Sequence, residues 1–370
     1  MGILVENVTK VFKGKPFLKN ITLEINDGDF VTLLGPTGAG KTTLMRIMAG
    51  IERPDSGRIY YDDKDVTDVS VQRREIAMVY QQFINYPSMT IYENIASPLR
   101  VSKKHYPKDE IDRRVRATAE LMGITRVLDH YPEEVSGGQK QRTAIARALV
   151  KGTKFVFLDE PLVNLDYKLR EELRGELKRI FRSKGGVVVY ATPEPVDALA
   201  MGTHVGYMQD GQILQYGPVQ EVYHYPQYID VGSYFSYPTM NMFESKLISD
   251  NEHCYLQASD ELKVDVTPLR NQLDKKDYIL GIHAHALSTT KDAKHTLPIK
   301  ARVELSEVVG SDTELHLTHK SFRLIVLMQK FVSYEIGEEI DVYLDPARFF
   351  IYEKASRQLV AKMFFDEEES

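Results

Sequence analysis

The chain has 370 residues and a net charge of −6, a length that suggests two or three domains and a charge balance that argues against nucleic-acid binding. Its single cysteine, Cys254, excludes an internal disulfide and fits a reducing compartment. No apolar stretch reaches the ~18 residues of a membrane span, and the first residues, with Glu6 and no apolar core, do not read as a secretory signal, so membrane contact is expected only through partners.

From residue 1 to about 85, short strands alternate with turn signals at Asp27-Gly28, Pro54-Asp55-Ser56-Gly57 and Asp62-Asp63. Within that block Phe30 to Leu34 reads as a short buried strand, followed by Gly35-Pro36-Thr37-Gly38-Ala39-Gly40-Lys41-Thr42. Glycines 35 and 40 let the backbone turn tightly and bring bare N–H groups against phosphate oxygens. Lys41 supplies a charge for β and γ phosphates, and the Thr42 hydroxyl can ligate Mg²⁺. Leu44, Ile47 and Met48 then fall on one face of a helix that Gly50 can end. The loop therefore sits at a helix N-terminus, where the dipole favours anions.

The stretch Phe83 to Leu99, rich in Phe, Tyr, Ile and Pro, reads as a pocket built from a loop. From about 88 to 150 the pattern is helical, with Lys108-Asp109-Glu110 opening an amphipathic stretch through Leu121. Val135-Ser136-Gly137-Gly138-Gln139 leads into another helix, at whose start bare N–H groups form a second anion site. Strands and helices alternate again from 153 to 215. There the apolar run Phe155 to Leu158 delivers two carboxylates, Asp159 and Glu160, as the end of a central parallel strand would. Leu169 to Phe181 reads as a charged helix, and Val187 to Tyr190 as a strand. A linker rich in Tyr, Pro and Ser runs from about Val231 to Thr239. Beyond it, Tyr278–Ile282, Ala301–Val309, Leu324–Met328 and Ile340–Leu344 are short apolar segments between turns, the spacing of a small β-barrel. His283 and His285 stand at i, i+2 on an expected strand, but no Cys or carboxylate lies beside them at metal-ligand spacing. The tail Asp366 to Glu369 reads as a solvated end.

These motifs together resemble the ATP-binding cassette (ABC) family, over roughly residues 1 to 235. The resemblance implies an α/β P-loop NTPase fold with a helical subdomain (about 88–150) in a domain of residues 1–232. An all-β, OB-like regulatory domain is implied for 233–370. It implies ATP and Mg²⁺ as cofactors, with ATP held by Phe12 (stacked on adenine), Gly35, Pro36, Thr37, Gly38, Ala39, Gly40, Lys41, Thr42 and Thr43. Mg²⁺ would be held by Thr42, Gln81 and Asp159, while Glu160, with Gln81, would polarise the attacking water. Val135, Ser136, Gly137, Gly138 and Gln139 match the family signature, which completes the site of a second cassette packed head to tail. Asn164-Leu165-Asp166 resembles the D-loop.

Two positions depart from the family pattern. After Val187 to Tyr190 the family reads Thr-His-Asp; this chain reads Thr192-Pro193-Glu194. Proline offers neither a side-chain donor nor an N–H, and losing one preorganised transition-state donor costs on the order of 10²- to 10³-fold in rate. Val163 replaces a small hydroxyl or Ala in the D-loop. The OB-like domain's usual Arg-Pro-Glu is likewise replaced by His283-Ala284-His285. The expected protein is an ATP-hydrolysing importer subunit at the cytoplasmic face of a bacterial inner membrane. It would pair with a non-identical cassette chain, whose site its signature completes, and dock two permease subunits through residues 83–99. The strings Met78 to Pro87 and Glu93 to Arg100 resemble ATPases of the bacterial glycerol importer, which uses two different ATPase chains. The alternatives are a homodimeric sugar or glycerol-phosphate importer ATPase, a soluble cassette ATPase acting on ribosomes or DNA, and a catalytically silent cassette. One cassette with only about 95 residues between phosphate loop and signature speaks against the soluble type.

Overall fold

A computed structural model describes residues 2–363 other than 164, 251 and 321, and their side chains except those of 183 and 184. Chain contacts divide it into two compact units, Met1–Gln220 and Glu221–Ser370, a division that falls before the boundary expected at 232. No helix among the described residues is long and apolar enough to cross a membrane.

The first unit begins with β1 (Ile3–Phe12) and β2 (Lys15–Ile25), antiparallel and much longer than the short strands expected. Next come β3 (Phe30–Leu34), α1 (Lys41–Ala49), β4 (Ser56–Tyr61), β5 (Lys64–Asp65) and β6 (Ile76–Val79). The helical block holds α2 (Ile91–Arg100), α3 (Lys108–Leu121) and α4 (Gly137–Leu149). The chain then runs through β7 (Phe155–Asp159), α5 (Tyr167–Lys184), β8 (Val187–Thr192), α6 (Pro195–Met201), β9 (His204–Gln209) and β10 (Gln212–Pro218). One sheet has the order β2-β1-β4-β5 and the other β10-β9-β3-β8-β7-β6. In the second sheet β9, β3, β8, β7 and β6 run parallel. Every residue of β3, β7 and β8 is buried, as continuous apolar runs covered on both faces require. Since β3 and β7 both flank β8, the loops leaving their C-terminal ends open on one edge of the sheet, where α/β folds bind ligands. Leu44, Ile47 and Met48 of α1 are wholly buried, and Gly50 caps the helix with a φ of 76°.

The segment 83–99 is only half a loop. Thr90 caps α2 and forms a reciprocal pair with Glu93, so the chain turns helical at Ile91 and buries Ile91 and Ile95. A short polar cap overrides the Pro and aromatic signals that had suggested a loop throughout.

In the second unit, α7 (Val219–His224), which begins just before the division, and α8 (Ile229–Phe235) lead, among the described residues, into eleven strands. The stretch expected as a linker from Val231 is therefore helical as far as Phe235, where buried Val231 and Phe235 anchor it. The strands are β11 (Asn241–Ser249), β12 (Cys254–Gln257), β13 (Lys263–Asp265), β14 (Asp277–Ile282), β15 (Leu287–Ser288) and β16 (Leu297–Val309), continuing with β17 (Asp312–His319), β18 (Phe322–Met328), β19 (Glu339–Leu344), β20 (Phe350–Glu353) and β21 (Leu359–Lys362). They form two antiparallel sheets, ordered β13-β12-β11-β14-β20-β21 and β15-β19-β16-β17-β18, whose alternating inward residues share one apolar core. The all-β character expected of this half is present, and the four apolar segments lie in β14, β16, β18 and β19. His283 and His285 do not lie on a strand: β14 ends at Ile282 and a 3₁₀ turn spans Ala284–Ala286. Among the described residues no group of His, Cys, Asp and Glu is arranged to hold a metal.

Candidate functional site

The phosphate loop joins β3 to α1, as its sequence predicts. Gly35 has φ 149° and presses against the Met208 carbonyl so closely that a Cβ would come within 2.1 Å of it. Gly40 caps α1 at φ 104°, a conformation glycine adopts without strain. Between them Pro36, Thr37 and Gly38 are exposed, and a Cβ on Gly38 would meet open space. Ala39 is buried beneath them.

Lys41 is only 3% exposed, and its ammonium donates to the carbonyls of Gly35 at 2.7 Å and Pro36 at 3.0 Å. Burial lowers its pKa, a shift opposed by the carboxylates of Glu160 and Asp159. The Thr42 hydroxyl donates to Asp159 at 2.8 Å, and Thr43 is half-buried beside it at the start of α1. Asp159 is buried at the end of β7; desolvation raises its pKa, against the Thr42 bond and the charges of Arg46 and Lys41. Glu160 sits one residue beyond the strand with φ 45°, a left-handed conformation rare outside glycine, held by its N–H bond to the Ala191 carbonyl at 3.0 Å. Its carboxylate lies 3.9 Å from Lys41 and accepts from the Gln81 side chain at 3.0 Å. Desolvation raises the Glu160 pKa as well; Lys41 lowers it and Asp159 raises it further.

These five side chains suit a phosphate chain and a hard cation. Exposed loop N–H groups and an ammonium face one side; a hydroxyl, an amide and two carboxylates face the other. Phe12 ends β1 44% exposed, edge-on to Phe17 at 5.2 Å and with the Lys10 ammonium 5.8 Å from its ring centre.

The signature residues form a separate group, and none hydrogen-bonds to the Lys41 cluster among the described residues. Ser136 caps α4 and exchanges bonds with Gln139, N–H to side chain in both directions. The S-x-x-Q spacing carries this capping box, which sequence reading for anions passed over. The two glycines divide the work: Gly137 faces open space, whereas a Cβ on Gly138 would come within 2.5 Å of Leu169. Val135, before the cap, is buried. Asp166 caps α5 by accepting from the Leu169 N–H at 3.0 Å. Asn164 of the same motif lies outside the described residues, as does the acidic tail.

Sequence reading missed the groups that brace the departures. Arg170 contacts Glu194 at 3.5 Å and donates to the Val163 carbonyl at 3.3 Å, bridging both divergent loops. Beneath them Asp197 is 2% exposed and accepts from Arg174 at 2.9 Å, Thr192 at 2.9 Å and Tyr190 at 3.1 Å. The spacing of Arg170 and Arg174 on one helix face was the available signal; it pointed to no partner until β8 and α6 were placed.

The family model described as "ABC transporter" matches residues 18–163. Over 97% of its length this chain is 36% identical to the trehalose/maltose import ATP-binding protein MalK of Thermococcus litoralis, covering 99% of that protein. It is 33% identical to the oligosaccharides import ATP-binding protein MsmX of Bacillus subtilis, covering 92% of this chain and 94% of that one. The sulfoquinovosyl glycerol transport ATP-binding protein SmoE of Agrobacterium fabrum is 30% identical, with 97% and 99% covered. Among solved structures, the dimeric post-hydrolysis cassette MJ0796 bound to ADP and Pi aligns with TM-score 0.54 and 30% identity, over 59% of this chain and 98% of that one. A glycine loop that meets two carboxylates at a strand end, and relatives matched nearly end to end, lead to one conclusion: this chain belongs to the ABC transporter family, as an ATP-hydrolysing subunit that uses ATP with Mg²⁺.

Proposed function

We propose that this chain energises an importer of a small sugar or polyol, from the cytoplasmic face of the membrane. The observation that carries this reading is the convergence of Lys41, Thr42, Gln81, Asp159 and Glu160, in a chain whose full-length relatives are named as import ATP-binding proteins. Lys41 and the exposed loop N–H groups bind the phosphates, Thr42, Gln81 and Asp159 hold Mg²⁺, and Glu160 orients water. Phe12 stacks on adenine. Residues beyond the cassette form a regulatory domain. Glycerol is the favoured cargo, on the resemblance of Met78 to Pro87 and Glu93 to Arg100; the similarity to a protein named for sulfoquinovosyl glycerol transport is compatible with a polyol.

The permease docks beside α2. A groove of about 400 Å³ lies there, lined by Tyr86, Met89, Pro98, Val101, Arg147 and Lys151 among others, and its mixed apolar and basic wall suits a short amphipathic helix. In the assembled importer this chain pairs with a non-identical cassette. Pro193 leaves its own site without the His that contacts the γ-phosphate in the family, while Ser136 to Gln139 complete a competent site on the partner. A homodimer is the second reading, favoured by the dimeric state of the MJ0796 cassette. Affinity purification from native membranes, with identification of the co-purifying subunits and of the binding protein's ligand, tests the whole reading. Recovery of two copies of this chain in one transporter overturns the asymmetric pairing, and a ligand that is neither sugar nor polyol overturns the cargo.

A further inference from the structure

The His283-Ala284-His285 turn is used by nothing in the proposed function, and in the second unit it becomes the centre of a cluster. Three rings stack nearly parallel: Tyr223 of α7 on His283 at 6.0 Å and 7°, and His283 on His285 at 5.3 Å and 11°. Phe350 meets His283 edge-on at 5.4 Å, and the Lys362 ammonium lies 5.7 Å from the Phe350 ring centre and 4.4 Å from that of Tyr225. The Ser236 hydroxyl donates to the Pro238 carbonyl at 2.8 Å, so its oxygen accepts from His283 Nδ1 at 3.0 Å. Neutral His283 therefore carries its proton on Nδ1 and presents Nε2 as a bare lone pair.

The leading charges acting on this ring are of one sign. Burial first, and then the charges of His285, Arg348, Lys362 and His224, together lower the His283 pKa to about 4. His285 is lowered by burial and then by Arg348. The acidic groups on the elements around it are Asp345, 3.7 Å from Arg348; Glu221, which lines a cavity with Tyr225; Glu353 at the end of β20, which accepts from Ser356; and Asp230 of α8, which pairs with Arg357. A metal ion would be repelled by such surroundings; an anion would be attracted, and its arrival would reverse the penalty on protonating the imidazoles.

From this convergence we infer that His283, His285, Arg348 and Lys362 bind the dianionic phosphate group of a small soluble phosphate monoester, with proton uptake by the imidazoles. Three terminal oxygens and two charges suit the chemistry of these side chains: a guanidinium fork, an ammonium and an imidazole Nε2–H gained on binding. The exposed ring of His285 gives access from solvent. This inference does not depend on the cargo or on the cassette pairing.

Calorimetry on the full chain tests it, in a Lys41→Ala background so that the phosphate loop does not contribute. Inorganic phosphate is one probe, and sulfate is a second that does not itself titrate between pH 5 and 8. The expected result is saturable binding that chloride does not reproduce. Sulfate affinity should rise as pH falls from 7.5 to 5.5, by up to about tenfold per pH unit for each proton taken up. His285→Asn and Lys362→Met should each weaken binding about tenfold. Titration in two buffers of different ionisation enthalpy reads the proton uptake directly on the unaltered cluster. Absence of saturable binding, zero proton uptake, or variants that bind as tightly as the parent chain overturns the site. Binding to phosphatidic acid vesicles with none of either soluble anion overturns the small-molecule ligand.

Discussion

The Gln81 side chain donates to the Glu160 carboxylate at 3.0 Å although 79 residues separate them. The same carboxylate lies 3.9 Å from Lys41, so the end of β6, the end of β7 and the start of α1 meet at one atom pair. The ammonium also donates to the Gly35 and Pro36 carbonyls, so Lys41 ties the loop to the carboxylate beyond β7.

Lys41→Ala should abolish tight Mg·ATP binding, because it removes the only ammonium facing the loop in the described cluster. A charge-assisted phosphate contact is worth roughly 1.5–3 kcal/mol or more, at least tenfold in affinity. Calorimetry with Mg·ATP checks this, and equal affinity in wild type and variant would remove the loop from the binding site.

Within the assembled transporter, Glu160→Gln should lower ATP hydrolysis less than the equivalent change in the partner cassette. Substituting Ser136 should be severe if, as proposed, it completes the partner's site. Steady-state hydrolysis by the two reconstituted variants separates the cases. If both Glu substitutions are equally damaging, the two sites are equivalent and the asymmetric pairing fails.

Asp197→Ala should destabilise the first unit by about 3–5 kcal/mol, the cost of leaving a buried charge unpaired. Arg174 and Asp197 are 8% and 2% exposed, and Thr192 and Tyr190 would lose their acceptor too. By contrast Glu194→Gln, which breaks a half-exposed contact with Arg170, should cost about 1 kcal/mol or less. Urea unfolding midpoints of the two variants should differ accordingly; similar midpoints would mean that the buried network carries no special weight.

His283 gives a pH signature of the second unit. Its folded pKa, about 4, lies below the ordinary 6.5, so the unfolded chain binds the extra proton first. Its contribution to stability is complete above 6.5, falls as the pH drops from 6.5 towards 4, and is gone below that. In chloride buffer the wild type should lose stability relative to His283→Asn across that window. Parallel pH profiles of the two proteins would show that the ring stays solvated.

Cysteines placed at Tyr86 or Ser88, both exposed, should crosslink to a permease in the assembled complex. The native Cys254 is buried and gives little background. Crosslinks that form only from other faces would move the docking groove away from α2.

What the sequence determined by itself was local. A glycine loop between an apolar strand and a helix, paired carboxylates at a strand end, and the S-G-G-Q helix start are each encoded within a few residues. Their backbone and dipole chemistry follows wherever the segment lies. Even there, a competing local signal could mislead: the Thr90–Glu93 cap made α2 helical where Pro98 and the aromatics had suggested a loop. What only the tertiary structure decided was which distant side chains meet. The strand order β10-β9-β3-β8-β7-β6 sets β7 and β3 on either side of β8. It thereby brings Asp159 to Thr42, Gln81 to Glu160, and Asp197 to Arg174. The register of β14 against β20, in the other unit, sets the turn after Ile282 beside Phe350. Hydrogen bonds and ring contacts depend on ångström distances, and between segments far apart in the chain those distances are fixed by packing of the whole core rather than by any local run of residues.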